Sequence, residues 1–264
     1  MNDLEGRWAL VTGASSGIGA DFARELAGRG AHLVLVARRE ERLRALAEEL
    51  ERAHGVRTRV IAADLAKPDA PRALHEQLRA EGIAVDVLVN NAGFGIYGPF
   101  LDTPWERDRE MLELDVIALA HLTKLFARDM RARGFGRVLQ VASIGAFQPS
   151  PTYAAYSAAK AFVQSFGEAL ACELRGSGVT VTVVSPGVTD TEFFAVSGQR
   201  RSLFQRLTIM PSAKVARIGI RALERGKPLV VPGFLNAATA FSMRLLPRRW
   251  QARLAKTAMT LGPE

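Results

Sequence analysis

Thr12-Gly13-Ala14-Ser15-Ser16-Gly17-Ile18-Gly19 decides how this chain is read. The stretch follows the apolar run Trp8-Ala9-Leu10-Val11 and leads into Ala20–Ala27, where apolar residues recur at helical spacing. A strand, a glycine-rich turn and a helix start, in that order, make an anion site. The first backbone N–H groups of a helix lack intrahelical acceptors and carry the positive end of its dipole, so they suit a pyrophosphate. Gly13 permits the tight turn, Gly17 a close approach of the backbone, and Gly19 close packing of helix on strand.

Outward from this turn, short apolar runs alternate with longer amphipathic segments, the pattern of parallel strands joined by crossover helices. Strands are predicted at 8–12, 32–36, 58–62, 85–90, 138–142, 179–184 and 229–231, and their near-continuous Val, Leu and Ile content suits burial on both faces. Helices are predicted near 17–29, 39–53, 69–81, 106–133, 153–176 and 212–226. In the second of these, Leu43, Leu46, Ala47 and Leu50 form one stripe opposite charged residues. The expected fold class is α/β: a single Rossmann-type, doubly wound parallel sheet of about seven strands with helices on both faces. All 264 residues are read as one domain, with a substrate flap near 190–211 and a C-terminal appendage over 233–264.

With 48% hydrophobic and 23% charged residues the chain is globular. Cys172 is the only cysteine, which excludes an internal disulfide and any cysteine-based zinc site. The four histidines show no metal spacing, so no metal is expected. The acidic, non-apolar start and the lack of an uninterrupted apolar run of membrane length point to a soluble, cytoplasmic protein. The net charge of +8 is spread along the chain as Arg mixed with Glu and accompanies no recognition motif, so no nucleic-acid partner is expected.

Beyond the glycine turn the chain carries, in order, Asp64-Leu65 after the third strand, Asn90-Asn91-Ala92-Gly93 after the fourth, Ser143 after the fifth, Tyr156-Ser157-Ala158-Ala159-Lys160 on the next helix, and Pro186-Gly187-Val188-Thr189-Asp190-Thr191 after the sixth. Tyr and Lys four apart share a helix face. A nearby ammonium lowers the pKa of a phenol, which makes it a proton donor or acceptor for a substrate oxygen near neutrality. Of the two tyrosines here, Tyr153 and Tyr156, only Tyr156 has a lysine four residues on. With the spacing T-G-x-x-x-G-x-G at the turn, this series resembles the short-chain dehydrogenase/reductase family over roughly residues 6–231.

The resemblance implies an oxidoreductase acting on a small-molecule carbonyl or alcohol, with a nicotinamide dinucleotide as cofactor and a homodimer or homotetramer as the usual assembly. It implies that Thr12, Gly13, Ser15, Ser16, Gly17, Ile18, Gly19, Asp64, Leu65, Asn91, Ala92, Gly93, Pro186, Gly187, Thr189 and Thr191 hold the cofactor. It gives Tyr156 the part of general acid or base and Ser143 that of orienting the substrate oxygen. Lys160 lowers the Tyr156 pKa and binds the nicotinamide ribose. The second strand ends Ala37-Arg38-Arg39 with no acid at its tip. Arg38 can grip a 2′-phosphate, so NADP is expected over NAD, and the alternative for Arg39 is a solvated residue paired with a nearby Glu. Where the family usually has Asn in the helix after the fourth strand, this chain has Asp115, which when ionised only accepts hydrogen bonds and puts the proton relay in question.

Phe94, Ile96, Tyr97, Phe147, Phe193, Phe194 and Phe204 fall in segments expected beside the nicotinamide, so a hydrophobic substrate is predicted, with Phe94, Phe147 and Phe193 among its contacts. Arg200, Arg201 and Arg206 in the flap suit an anionic substrate tail or water. After Glu224 no acid appears until Glu264, while Arg244, Arg248, Arg249, Arg253 and Lys256 alternate with Phe241, Leu245, Trp250 and Leu254. This basic amphipathic tail fits peripheral membrane contact, a cover over the pocket, or a partner subunit. The leading expectation is an NADP(H)-dependent carbonyl reductase or alcohol dehydrogenase. Its alternatives are a dinucleotide-binding sensor or scaffold with weak catalysis and a membrane-associated lipid or acyl reductase.

Overall fold

The computed structural model describes residues 3–193, 197–199 and 209–260, the last three of these by their backbone only. Strands β1 (Trp8–Thr12), β2 (His32–Ala37), β3 (Thr58–Ala62), β4 (Val85–Asn90), β5 (Gly136–Val141), β6 (Val179–Val184) and β9 (Leu229–Val230) form one seven-stranded sheet in the order β3-β2-β1-β4-β5-β6-β9. All six pairings in it are parallel. A second, two-residue parallel ladder joins β7 (Thr189–Asp190) to β8 (Met210–Pro211), which no sequence pattern announced.

The helices are α1 (Gly17–Ala27), α2 (Glu40–His54), α3 (Ala70–Ala80), α4 (Trp105–Leu112), α5 (Leu119–Arg133), α6 (Ala154–Glu173), α7 (Ser212–Glu224), α8 (Phe234–Ser242) and α9 (Arg248–Thr260). Helices α2 and α5 each stop at a glycine in the left-handed region, Gly55 and Gly134, where a Cβ would be strained.

Alternate strand residues feed two cores, as the pleat requires. Leu33 and Leu35 join Phe22, Leu26, Leu43, Ile220 and Leu223 on the side covered by α1, α2 and α7. Val34 and Val36 join Leu74, Leu122, Phe126 and Met130 on the side covered by α3 and α5. Side chains as fully enclosed as Phe22 and Leu26 contribute about 1.5–3 kcal/mol each. Gly219 on α7 lets the ring of Phe22 approach, since a Cβ there would lie 2.9 Å from it.

The helix expected over 106–133 is continuous, but its middle, Glu113–Ala118, is a π-helical turn between α4 and α5. Such wide turns inside α-helices are frequent at functional sites, and Asp115 lies inside this one. Chain order reverses between β1 and β4, so the strand ends there splay open into a crevice.

Candidate active site

A continuous cleft of about 500 Å³ follows that crevice from the tips of β2 and β3, across the glycine turn, to Ser143 and the N-terminal part of α6. Of the residues singled out in the sequence, Gly13, Ser15, Ser16, Gly17, Ile18, Gly19, Arg38, Asp64, Leu65, Asn91, Ala92, Gly93, Pro186, Gly187, Thr189 and Thr191 line it. Ser143, Tyr156, Lys160, Phe94 and Phe193 line it as well. The chain's own groups fit a dinucleotide at its first end. Helix α1 begins in the cleft with no acidic residue in its first turn and no side chain capping its free N–H groups. Gly19 permits no side chain, because a Cβ there would lie 2.2 Å from the Gly13 carbonyl oxygen.

Three expected residues stand elsewhere. Thr12 is buried: its hydroxyl donates to the Val89 carbonyl at 3.2 Å and accepts from the backbone N–H groups of Asn91 and Ala92, each at 3.0 Å. It ties β1 to β4 and does not face the cleft. Phe147 ends a short 3₁₀ turn, Ile144–Phe147, outside the cleft wall. Asp115 lies wholly buried behind the wall. Phe194, Phe204, Arg200, Arg201 and Arg206 lie outside the described residues.

At the cofactor end both arginines line the cleft and take different partners. Arg38 pairs with Glu110 at 3.0 Å. Arg39 donates through Nη2 to Ser15 Oγ at 3.1 Å and Ser16 Oγ at 2.7 Å, directly on the glycine turn. Its Nε also donates to Ser15 Oγ at 3.2 Å, its Nη1 meets Glu192 at 2.9 Å, and Arg42 meets the other oxygen of Glu192 at 2.8 Å. These last two hydrogen bonds hold the Glu192 carboxyl down at about 2. Adjacent sequence positions could not show which guanidinium faces the turn, and Glu192 carried no motif.

At the chemical end β5 delivers Ser143, whose Oγ accepts the Gly145 N–H at 3.1 Å and lies near enough to the Tyr156 phenol to draw its pKa down. Lys160 is buried, donates to the Val141 carbonyl at 3.2 Å, and pairs with Asp115 Oδ2 at 2.9 Å. Asp115 Oδ1 accepts the Phe94 N–H at 3.1 Å, while Oδ2 depends on the ammonium alone among the described residues. Gly93 makes room for this carboxylate, since a Cβ there would sit 2.6 Å from Oδ1.

Burial pushes the Tyr156 phenol above its ordinary value; Lys160 and the Ser143 hydroxyl draw it down, and Asp115 pushes it up again. Lys160 thus lowers the Tyr156 pKa as expected, but burial is the larger effect and the net direction is upward. For Lys160 burial acts downward, but the charge and hydrogen bond of Asp115 lead the opposing effects, and the ammonium stays protonated. Burial likewise works against the ionised Asp115, and the ammonium opposes it.

Aromatic rings surround the phenol. Tyr153 and Phe193 lie 5.6 and 5.4 Å from the Tyr156 ring, centroid to centroid, and Tyr97 lies 5.4 Å from Tyr153. Tyr153 donates its hydroxyl to Gln199 Oε1 at 2.9 Å and accepts from Ser197 Oγ at 3.1 Å, so it packs the wall. Ser150, also in the wall, is buried, and its hydroxyl has no partner among the described residues. A buried unpaired hydroxyl normally finds a partner, so Ser150 offers a polar contact that sequence spacing gave no reason to pick. Ala255 of α9 closes one side.

The short chain dehydrogenase family model matches residues 7–202. A short chain dehydrogenase of Pseudocercospora fijiensis is 39% identical over 197 residues, covering 74% of this chain and 63% of that protein. The 7beta-hydroxysteroid dehydrogenase of Collinsella aerofaciens is 35% identical over 191 residues, 72% of either chain. Several curated relatives are longer, and the match spans about three-fifths of their length. Among solved structures, a short-chain dehydrogenase from Sphingobium yanoikuyae in complex with NADPH superposes with a TM-score of 0.80 at 31% identity, covering 92% of this chain and 97% of that one. With its marker residues gathered along one cleft and a family match over most of its length, this chain belongs to the short-chain dehydrogenase family.

Proposed function

We propose that the protein is an NADP(H)-dependent reductase of a hydrophobic carbonyl compound, working in reverse as the corresponding alcohol dehydrogenase. One observation carries this reading. Ser143, Tyr156 and the Asp115-paired Lys160 converge at the end of a cleft whose other end offers the free N–H groups of α1. The reduced dinucleotide supplies the hydride. Ser143 Oγ orients the substrate oxygen, and Tyr156 gives its phenolic proton to that oxygen as negative charge develops on it. A phenol kept protonated by burial suits this acid step, which favours reduction at neutral pH. Lys160 stabilises the tyrosinate left behind and offers its ammonium to the ribose, while Asp115 keeps that ammonium charged and in place.

Preference for NADP is supported by Arg39 on the glycine turn, by the absence of an acid at the β2 tip, and by the NADPH complex of the Sphingobium relative. A hydrophobic substrate is supported by the Tyr97–Tyr153–Phe193 cluster around Tyr156 and by the hydroxysteroid activity named for the Collinsella relative. The test is the initial rate of NADPH and NADH oxidation against ketones and aldehydes graded by size and polarity. Faster turnover of bulky apolar ketones with NADPH is expected. A clear NADH preference, or selectivity for small polar carbonyls, rejects the assignment.

A further inference from the structure

Helices α8 and α9 have an inner face that the fold uses and an outer face that it leaves exposed. Inward, Asn236 fills the space left by Gly187, where a Cβ would lie within 2.4 Å of its amide, and Ala240 and Ala255 are buried. Gln251 donates to the carbonyls of Met243 and Leu246 at 2.7 and 2.8 Å, which fixes the corner between the two helices. Through Ala255 the same helix borders the cleft. Outward, Phe234, Leu235, Phe241, Leu245, Trp250 and Leu254 are between 47% and 90% exposed, Phe234 the most. Arg244, Arg248, Arg249 and Arg253 stand among them, exposed and without an acidic partner among the described residues. The Arg253 guanidinium lies 5.6 Å from the centre of the Trp250 ring. No Asp or Glu occurs between 225 and 263.

We propose that this outer face docks on an anionic lipid bilayer, with its apolar side chains entering the headgroup–acyl boundary and its arginines on the lipid phosphates. The cleft is thereby held at the lipid surface, so that an apolar substrate reaches it from the bilayer. The docking stands independently of the proposed reaction; only the route of the substrate rests on it. Three observations select this occupant. Large apolar side chains interleaved with arginines, with no acid nearby, form the pattern of helices that lie in an anionic interface. A symmetric contact with a second copy would set these arginines against themselves. At 9 and 13 residues, α8 and α9 are too short to span a membrane, so the contact is peripheral.

The test uses the full chain and vesicle flotation, comparing phosphatidylcholine alone with phosphatidylcholine containing phosphatidylglycerol. The chain is expected to float with the anionic vesicles, to stay behind with the neutral ones, and to be released as salt rises. A combined L245A, W250A and L254A variant is expected to lose binding by about tenfold or more while oxidising NADPH with a water-soluble ketone at the original rate. Trp105→Ala, at an exposed tryptophan on α4 and outside these two helices, should keep binding. Equal soluble fractions with both vesicles overturn the proposal. So does a wild-type dimer that the triple variant converts to monomer without any vesicle binding, since the face would then join two copies. Vesicle binding is read without turnover, so failure of the proposed reaction cannot be mistaken for failure of the docking.

Discussion

Replacing Asp115 by Ala removes the only anionic partner, among the described residues, of a buried ammonium. Lys160 keeps about 7% of its side chain exposed and Asp115 none, so water cannot take over the lost contact. At 2.9 Å the gross attraction is roughly 6 kcal/mol for an effective dielectric constant near 20. Desolvation of the two ions offsets most of that, so the pair adds little net stability over an apolar alternative. Breaking it from one side is different, because the ammonium stays buried: the cost is about 3–5 kcal/mol. For a chain of this size that lowers Tm by about 6–20 °C.

Asp115→Asn is milder. Its amide oxygen can still accept the Phe94 N–H, but the negative charge is gone. That charge raises both Lys160 and Tyr156, so both move down in the Asn variant. In carbonyl reduction Tyr156 must be protonated, so activity falls as pH rises through its pKa, and in the Asn variant this alkaline limb moves to lower pH. The assay is thermal unfolding of both variants together with pH–rate profiles of NADPH oxidation. A Tm within about 1 °C of wild type for the Ala variant, with an unmoved alkaline limb for the Asn variant, would show that Asp115 neither holds nor charges Lys160. If the Ala variant fails to fold, the Asn profile still decides the electrostatic part.

Tyr156→Phe removes the proton donor and should lower reduction by about 10²–10⁴-fold, while quenching of protein fluorescence by NADPH shows that the cofactor still binds. Arg39→Ala should raise the KM for NADPH well above the effect of Arg38→Ala, and neither should change the KM for NADH much, because only Arg39 reaches Ser15 and Ser16. Glu192→Gln frees Arg39 and Arg42 for a phosphate and should lower the KM for NADPH a few-fold with little change for NADH. Because this carboxyl sits at about 2, below its ordinary value, the clamp it makes is intact above the usual carboxylate range and is lost only as pH falls towards 2. The wild-type KM should therefore be flat in this respect between pH 5 and 8, and a KM that the Gln substitution leaves unchanged rejects the competition.

The sheet was legible because each strand is an apolar run that must be buried on both faces, and the turn after β1 was legible because its glycines answer to hard contacts such as Gly19 on the Gly13 carbonyl. The meeting of Ser143, Tyr156 and Lys160 followed from strand and helix order. What escaped was decided by geometry below the resolution of a pattern. A π turn differs from an α turn by one residue of hydrogen bonding, so nothing in Glu113-Leu114-Asp115-Val116 announced it. Arg38 and Arg39 look alike as letters, yet one pairs with Glu110 and the other with the glycine turn. Thr12 matches a cofactor motif, but its hydroxyl is consumed by the strand ends of the fold. The rise of the Tyr156 pKa comes from burial, which a spacing of four residues cannot measure.

In the proposed reaction this cleft transfers hydride to a carbonyl carbon while Tyr156 protonates its oxygen. NADPH deuterated at nicotinamide C4 on the transferred face, with mass spectrometry of the alcohol formed from a bulky apolar ketone, tests both halves of that step. One deuterium per product molecule, on the carbinol carbon, is predicted for the wild-type chain, with product formation lost in Tyr156→Phe. Alcohol without carbinol deuterium, or undiminished labelled product from the Phe variant, would contradict it.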